Sequence, residues 1–93
     1  MRVKTTCPQV KAVKALSGKR LRVTFSNNVT KVYDCRPLLQ EDVFRPLRDE
    51  GLFRCAQADP HGYGVIWNDH IDLAESELWL HGEPAERDAG SDV

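Results

Sequence analysis

The chain has 93 residues, of which 29% are charged and 41% hydrophobic, with a formal net charge of −1. That is enough for one small domain, and it excludes a disordered, collagenous or disulfide-dense chain. A near-neutral balance also argues against a protein that coats nucleic acid or an anionic membrane through charge alone.

Residues 1–9 read as an N-terminal arm. They hold no apolar run of signal-peptide length, and no stretch approaches the roughly 20 apolar residues that span a bilayer, so a soluble cytoplasmic protein is expected. From Val10 the pattern alternates. Val13 and Ala15 lie on one side of a strand and Lys14 and Leu16 on the other, then Leu21, Val23 and Phe25 oppose Arg20, Arg22 and Thr24. A period of two is the mark of a half-buried strand. Ser17-Gly18-Lys19 joins the two runs, and as a three-residue loop it places Ala15 opposite Leu21 and Val13 opposite Val23. Asn27-Asn28 supplies the next turn. As a two-residue loop it pairs Phe25 with Thr30, Val23 with Val32 and Arg22 with Tyr33, the last pair on the outer side. The expectation is a three-stranded meander over residues 10–34.

Arg36-Pro37 breaks the sheet. Leu38, Leu39, Val43, Phe44 and Leu47 then follow at the mixed three- and four-residue spacing of a short amphipathic helix over about 40–48. Pro46 kinks or shortens it, and Asp49-Glu50-Gly51 is read as its end. Residues 52–58 read as a fourth strand. Asp59-Pro60-His61-Gly62 is a turn with proline second and glycine fourth. Tyr63–Trp67 is a fifth strand with Gly64 at a bulge. Asn68-Asp69-His70 turns the chain into a short extended piece, Ile71-Asp72-Leu73, and a helix over about 75–81 capped by Gly82. Glu83 to Val93 reads as a disordered acidic tail. The segments 21–34 and 53–67 resemble each other as strand, polar turn, strand, a duplicated hairpin with a period near 33 residues. The fold expected is α+β: an antiparallel meander, a second hairpin and two short helices in one domain over residues 10–82.

The chemistry-bearing motifs are sparse. No HExxH, GxSxG or glycine-rich phosphate loop is present, and Cys7, Cys35 and Cys55 form no CxxC, so reduced thiols in structural roles are expected. His61, His70 and His81 match no metal-ligand spacing. Cys55 with His61 is conceivable as a nucleophilic pair, but a thiol in an apolar strand stays protonated. Trp67-Asn68-Asp69-His70-Ile71-Asp72 is the densest polar cluster. It allows a metal-binding or hydrolytic site on Asp69, His70 and Asp72. The structural alternative is that the turn residues bond their own backbone and Asp72 caps the next helix or receives an arginine.

Two surface features point further. The net charge conceals a split: residues 1–36 carry nine basic side chains and one acid, residues 37–93 four basic side chains and thirteen acids. The simplest reading is internal complementarity, a basic sheet against an acidic helical half. Lys14, Arg20, Arg22, Thr24, Lys31 and Tyr33 are expected together on the outer sheet face, where a basic surface with an aromatic suits RNA or single-stranded DNA. Trp67, Trp79, Phe44 and Phe53 are many large groups for so small a core, and some would serve as anchors for a protein partner. An open sheet edge would also allow a homo-oligomer.

The pattern Leu21-Arg22-Val23-Thr24-Phe25-Ser26, Val32-Tyr33-Asp34, Pro37-Leu38-Leu39, then Gly64-Val65-Ile66-Trp67-Asn68-Asp69 with Ile71-Asp72-Leu73 and Leu78, resembles a bacterial family. That family is known only as a domain of unknown function, number 2442 in its series. The resemblance runs from about Val10 to Gly82. It implies a small α+β fold similar to the N-terminal domain of a two-domain protein whose second half is a helix-turn-helix. The segment after Gly82 is too short for such a half, so DNA binding by that route is not expected here. Stand-alone members beside another small gene resemble toxin–antitoxin modules. The resemblance therefore implies a non-catalytic interaction module, antitoxin-like, whose partner is a small protein encoded next door. It brings no catalytic residue and no cofactor. The candidate interaction surface combines Arg22, Lys31, Tyr33, Trp67, Asn68, Asp69, Asp72 and Trp79. Nucleic-acid binding by the basic sheet face is the alternative.

Overall fold

The first hairpin forms as its turn chemistry dictates. Gly18 and Lys19 both take positive φ, at 76° and 59°. β1 (Val10–Leu16) then pairs with β2 (Arg20–Phe25) in the expected register, with Val13 opposite Val23 and Ala15 opposite Leu21. The computed structural model describes residues 7–85, and the arrangement is α+β. Residues 86–93 of the expected tail and residues 1–6 of the expected arm lie outside the described residues.

The second hairpin differs from expectation by one residue. Asn28 alone takes positive φ, at 69°, whereas a two-residue hairpin of the favoured type needs it at both loop positions. The loop is instead Ser26-Asn27-Asn28. It closes with Phe25 N–H donating to the Val29 carbonyl at 2.8 Å, and the Asn27 side chain accepts from Val29 N–H at 3.1 Å. In β3 (Thr30–Asp34), Tyr33 consequently stands opposite Leu21, Val32 opposite Arg22 and Lys31 opposite Val23. A one-residue slip turns every side chain over. Lys31 and Tyr33 therefore lie on the core face and Val32 on the outer face, the reverse of the sequence reading.

The segment 36–56 is also rearranged. Instead of one helix over 40–48 there are two 3-10 turns, Arg36–Gln40 and Arg45–Arg48, each opened by a proline. Proline's fixed φ suits a first turn and blocks a longer helix through it. Asp49 starts a helix rather than ending one. Its carboxylate accepts from Leu52 N–H at 2.8 Å and caps α1 (Glu50–Phe53). The expected strand over 52–58 shrinks accordingly to β4 (Gln57–Ala58). The proposed hairpin duplication does not survive this, because β4 pairs with its neighbour through two residues only.

The later elements follow the sequence closely. At Asp59-Pro60-His61-Gly62 the Gly62 N–H donates to the Asp59 carbonyl at 2.8 Å, with Gly62 φ at 82°. β5 (Gly64–Asn68) and β6 (Ile71–Ala74) form a hairpin with a bulge at Trp67. Gly64 is not at that bulge. A Cβ there would lie 1.9 Å from the Leu73 carbonyl oxygen, so glycine permits the close approach of the two strands. α2 (Glu75–His81) matches its expected span, but Ala74 rather than Asp72 precedes it and no side chain caps it. Glu83 and Pro84, expected in a disordered tail, form β7 against β3.

The strands make two sheets, ordered β1-β2-β3-β7 and β4-β5-β6. Leu21, Val23, Phe25 and Tyr33 from the first, and Val65, Trp67, Ile71 and Leu73 from the second, bury their side chains together with Leu47, Phe53 and Leu78. α2 packs against β3, β5 and β6, and its Trp79 meets Phe25 edge-to-face at 5.0 Å. Among the described residues no helix is long and apolar enough to cross a membrane.

Candidate binding face

The residues singled out from the sequence do not form one surface. Tyr33 is 5% exposed and Trp67 7%. The Trp67 indole N–H donates to the Phe53 carbonyl at 3.0 Å in the interior, so both aromatics are core residues. Lys31 reaches across the core face to α2. Its ammonium sits 3.9 Å from the centre of the half-buried Trp79 ring and donates to the Trp79 carbonyl, in the helix's last turn. There it satisfies a terminal carbonyl and complements the helix dipole. The Tyr33 hydroxyl donates to Glu77 Oε2 at 2.8 Å, and His81 Nδ1 lies 3.3 Å from the same oxygen. Burial first, and the Glu77 carboxylate second, push the Tyr33 phenol above its ordinary range. Burial, with Asp34 beside it, likewise pushes the Cys35 thiol up to about 12.

The cluster around residue 69 is a turn. Asn68 Oδ1 accepts from His70 N–H at 2.8 Å and Ile71 N–H at 3.0 Å. Asp69 is exposed at the tip, and Asp72 is exposed on β6 opposite Ile66. Among the described residues no group of three His, Cys, Asp or Glu side chains is placed to hold a metal ion. The expected burial of the cysteines holds for Cys35 alone. Cys55 follows α1 on the surface and donates its S–H to the Gly51 carbonyl, and Cys7 is half-buried.

What remains of the basic surface is the outer face of the first sheet. Register puts Lys14 directly opposite Arg22, and Arg22 opposite Val32, which in turn faces Glu83. The next row is Leu16, Arg20 and Asp34. Asp34 is taken by Arg36, whose Nε and Nη2 approach both carboxylate oxygens at 2.8 to 3.2 Å. That guanidinium holds the Asp34 carboxyl below its usual range. Arg20 donates to the Ser17 carbonyl. Among the described residues Lys14, Arg20 and Arg22 make no ion pair. Like charges placed directly across a ladder repel, so the Lys14–Arg22 pair is a local cost that the domain keeps. Leu16, Val32, Thr24 and Thr30 are only half covered beside it. Sequence reasoning located Arg22 on this face but gave Lys31 and Tyr33 to it wrongly, and it missed the grip of β7 on β3.

A comparison with solved structures finds a chain of Nitrosomonas europaea ATCC 19718, named "Putative DNA Binding Protein NE0471". It is 25% identical, with a TM-score of 0.66 over 85% of this chain and 50% of that one. The present chain thus spans half the length of that protein. No curated protein matches the chain. The family model described as "Protein of unknown function (DUF2442)" matches residues 10–84. With nearly the whole described domain inside that match, the chain belongs to this family.

Proposed function

We propose that this protein is a non-catalytic binding module whose outer sheet face takes an acidic segment of another small protein. The observation that carries the reading is the Lys14–Arg22 pair, two cations directly across one ladder with Arg20 in the next row, none of the three in an ion pair among the described residues. Asp34, which faces Arg20, is held by Arg36. An anionic group placed between them converts a repulsion into two attractions. The half-covered Leu16 and Val32 would add apolar contact beneath a polar rim, the usual anatomy of a specific interface. The antitoxin-like role implied by the family resemblance is one form of this module, with the product of the neighbouring gene as the partner. Co-expression of that product followed by size exclusion tests it. The wild type is expected to co-elute with the partner, and Lys14→Gln/Arg22→Gln to elute alone while remaining folded. Separate elution of the wild-type pair overturns the reading.

A second reading is favoured by the name of the Nitrosomonas protein: the same face binds nucleic acid. Three cations neutralising about three phosphates give a log–log salt slope near −2.7 on duplex DNA. A gel shift at low salt that weakens with that slope supports it, and no shift with single- or double-stranded probes removes it.

A further inference from the structure

The turn at residues 59–62 carries an aromatic platform that the basic sheet face does not use. Tyr63 is 62% exposed, and the His61 ring stacks on it at 5.7 Å between ring centres with 20° between the planes. The backbone beneath both rings is held firmly. Asp59 Oδ2 accepts from His61 N–H at 2.8 Å and from Tyr63 N–H at 3.3 Å, and Gln9 Nε2 donates to the His61 carbonyl at 3.1 Å. A Cβ on Gly62 would lie 2.6 Å from the Gln9 Cβ, so the turn is pressed against the chain entering β1.

Beside the platform lies an open hollow of about 620 Å³, whose lining includes Tyr63, Glu75, Asn27 and Gln9. Strand pairing places the acid there. One step past the Gly64–Ala74 pair, Glu75 N–H donates to the Tyr63 carbonyl at 2.9 Å. Glu75 is half-buried, and among the described residues its carboxylate makes no ion pair and no side-chain hydrogen bond. It is also the one charged residue in the lining.

A carboxylate next to a flat, electron-rich ring suits a cation that has a flat face and donors along its edge. A guanidinium has both. It stacks on aromatic rings and forks two N–H donors onto a carboxylate, whereas an ammonium is a compact and strongly hydrated point charge. A nucleobase would stack as well, but its phosphate would meet a carboxylate and no cation in this hollow.

We propose that Tyr63 and Glu75 hold an arginine side chain presented by a protein partner. The guanidinium lies flat on the Tyr63 ring with its edge turned to the Glu75 carboxylate, and His61 covers the other face of the ring. The site shares no residue with the Lys14–Arg20–Arg22 face, so it does not rest on the reading above. With both in use, one partner offers an acidic segment to the sheet and an arginine to the platform. Matching two signs at two places fixes its orientation.

Titration of the full chain with N-acetyl-arginine amide at constant ionic strength, followed by amide NMR, tests this. Concentration-dependent shifts are expected at Asn27, Tyr63 and Glu75, with none at the interior Leu21 and Val23. N-acetyl-lysine amide should bind at least about 3-fold more weakly. Glu75→Gln and Tyr63→Leu should each weaken arginine binding about 3- to 10-fold, the worth of one exposed ion pair or cation–π contact. Unchanged Leu21 and Val23 signals verify that both variants fold. The proposal is overturned by no shift at the three named residues, by an equal response to lysine, by undiminished binding in both variants, or by guanosine binding more tightly than arginine. Each of those results leaves the Lys14–Arg22 reading standing, because the two sites share no residue.

Discussion

Lys31 and Arg22 stand on adjacent strands, both are basic, and a simple reading of alternation puts both in the binding surface. The structure separates them, and the separation has a measurable consequence. In Lys31→Met the aliphatic stem is kept and only the ammonium is lost. That removes a cation 3.9 Å from the Trp79 ring centre and a donor to the Trp79 carbonyl. A partly desolvated cation–π contact is worth about 1 kcal/mol. A charged donor on a helix's last turn adds about 1 kcal/mol through hydrogen bond and dipole. The expected loss is about 2 kcal/mol, or roughly 8 to 16 °C in Tm for a domain of this size. Arg22→Gln removes an exposed side chain whose cross-strand neighbour is Lys14. Its expected effect lies within about 0.5 kcal/mol and leans toward stabilisation. Urea denaturation followed by tryptophan fluorescence reads both, since Trp67 and Trp79 report on the interior and on α2 respectively. Partner binding should invert the order, with Arg22→Gln losing it and Lys31→Met retaining it below its melting range. The reasoning is refuted if Lys31→Met costs less than about 0.5 kcal/mol, or if Arg22→Gln costs as much as Lys31→Met.

Gly64→Ala is expected to destabilise by at least about 3 kcal/mol, combining an unfavourable backbone conformation with a Cβ 1.9 Å from the Leu73 carbonyl oxygen. In Gly51→Ala the new Cβ would press on Asp49 Oδ2 at 3.3 Å, the oxygen that caps Leu52 N–H, so the gain in helix propensity is offset by a shift of the cap and the net change in the same thermal melt is expected to stay within about 1 kcal/mol. Alkaline stability follows from Tyr33 and Cys35. Both fold with their protonated forms favoured, so the stability they contribute is complete below the unfolded thiol's value of 9.0 and is lost as pH rises toward about 12. Each group contributes a slope of about 1.4 kcal/mol per pH unit across its own window. Tyr33→Phe should flatten the part of a urea–pH series above about pH 10. Thiol titration with a chromogenic disulfide should label Cys55 within seconds and Cys35 only at the rate of global unfolding. Rapid labelling of Cys35 in native buffer would contradict its burial.

Much of the fold was legible where one local signal acted alone. Gly18, the Asp59-Pro60-His61-Gly62 turn and the span of α2 each depend on residues next to one another in sequence. Alternation fixed β2 without ambiguity, because Leu21, Val23 and Phe25 are all apolar and all face the core. The failures arose where two local signals competed. Asn27-Asn28 fits both a two- and a three-residue loop, and the choice rests on burying Tyr33 against α2, a contact 44 residues away through Glu77. Asp49 serves equally as a helix stop and a helix start, and its capping of Leu52 decided for the second. Nothing nearby announces β7. A Glu-Pro dipeptide has poor strand propensity, and only the free edge of β3 recruits it.

The charge split is where the candidate site and the fold meet. Nine basic side chains in residues 1–36 and thirteen acids in residues 37–93 invite a picture of two halves held together by ion pairs. Among the described residues the Lys and Arg ion pairs are otherwise local. Arg36 takes Asp34, Arg45 takes Asp42 and Arg54 takes Glu50. Lys19 with Glu50 at 2.7 Å is the one that joins a basic residue of the first part to an acid of the second. Cohesion between the halves comes instead from the shared apolar core and from Lys31 and Tyr33, which reach α2 by hydrogen bonds. A surplus of charge that does not hold the domain together is left exposed at Lys14, Arg20 and Arg22. Surface cations pointing into water cost little to replace, and two placed opposite each other on neighbouring strands slightly destabilise the sheet. Folding therefore gives no reason for Lys14 to face Arg22, whereas an anionic occupant of that face does.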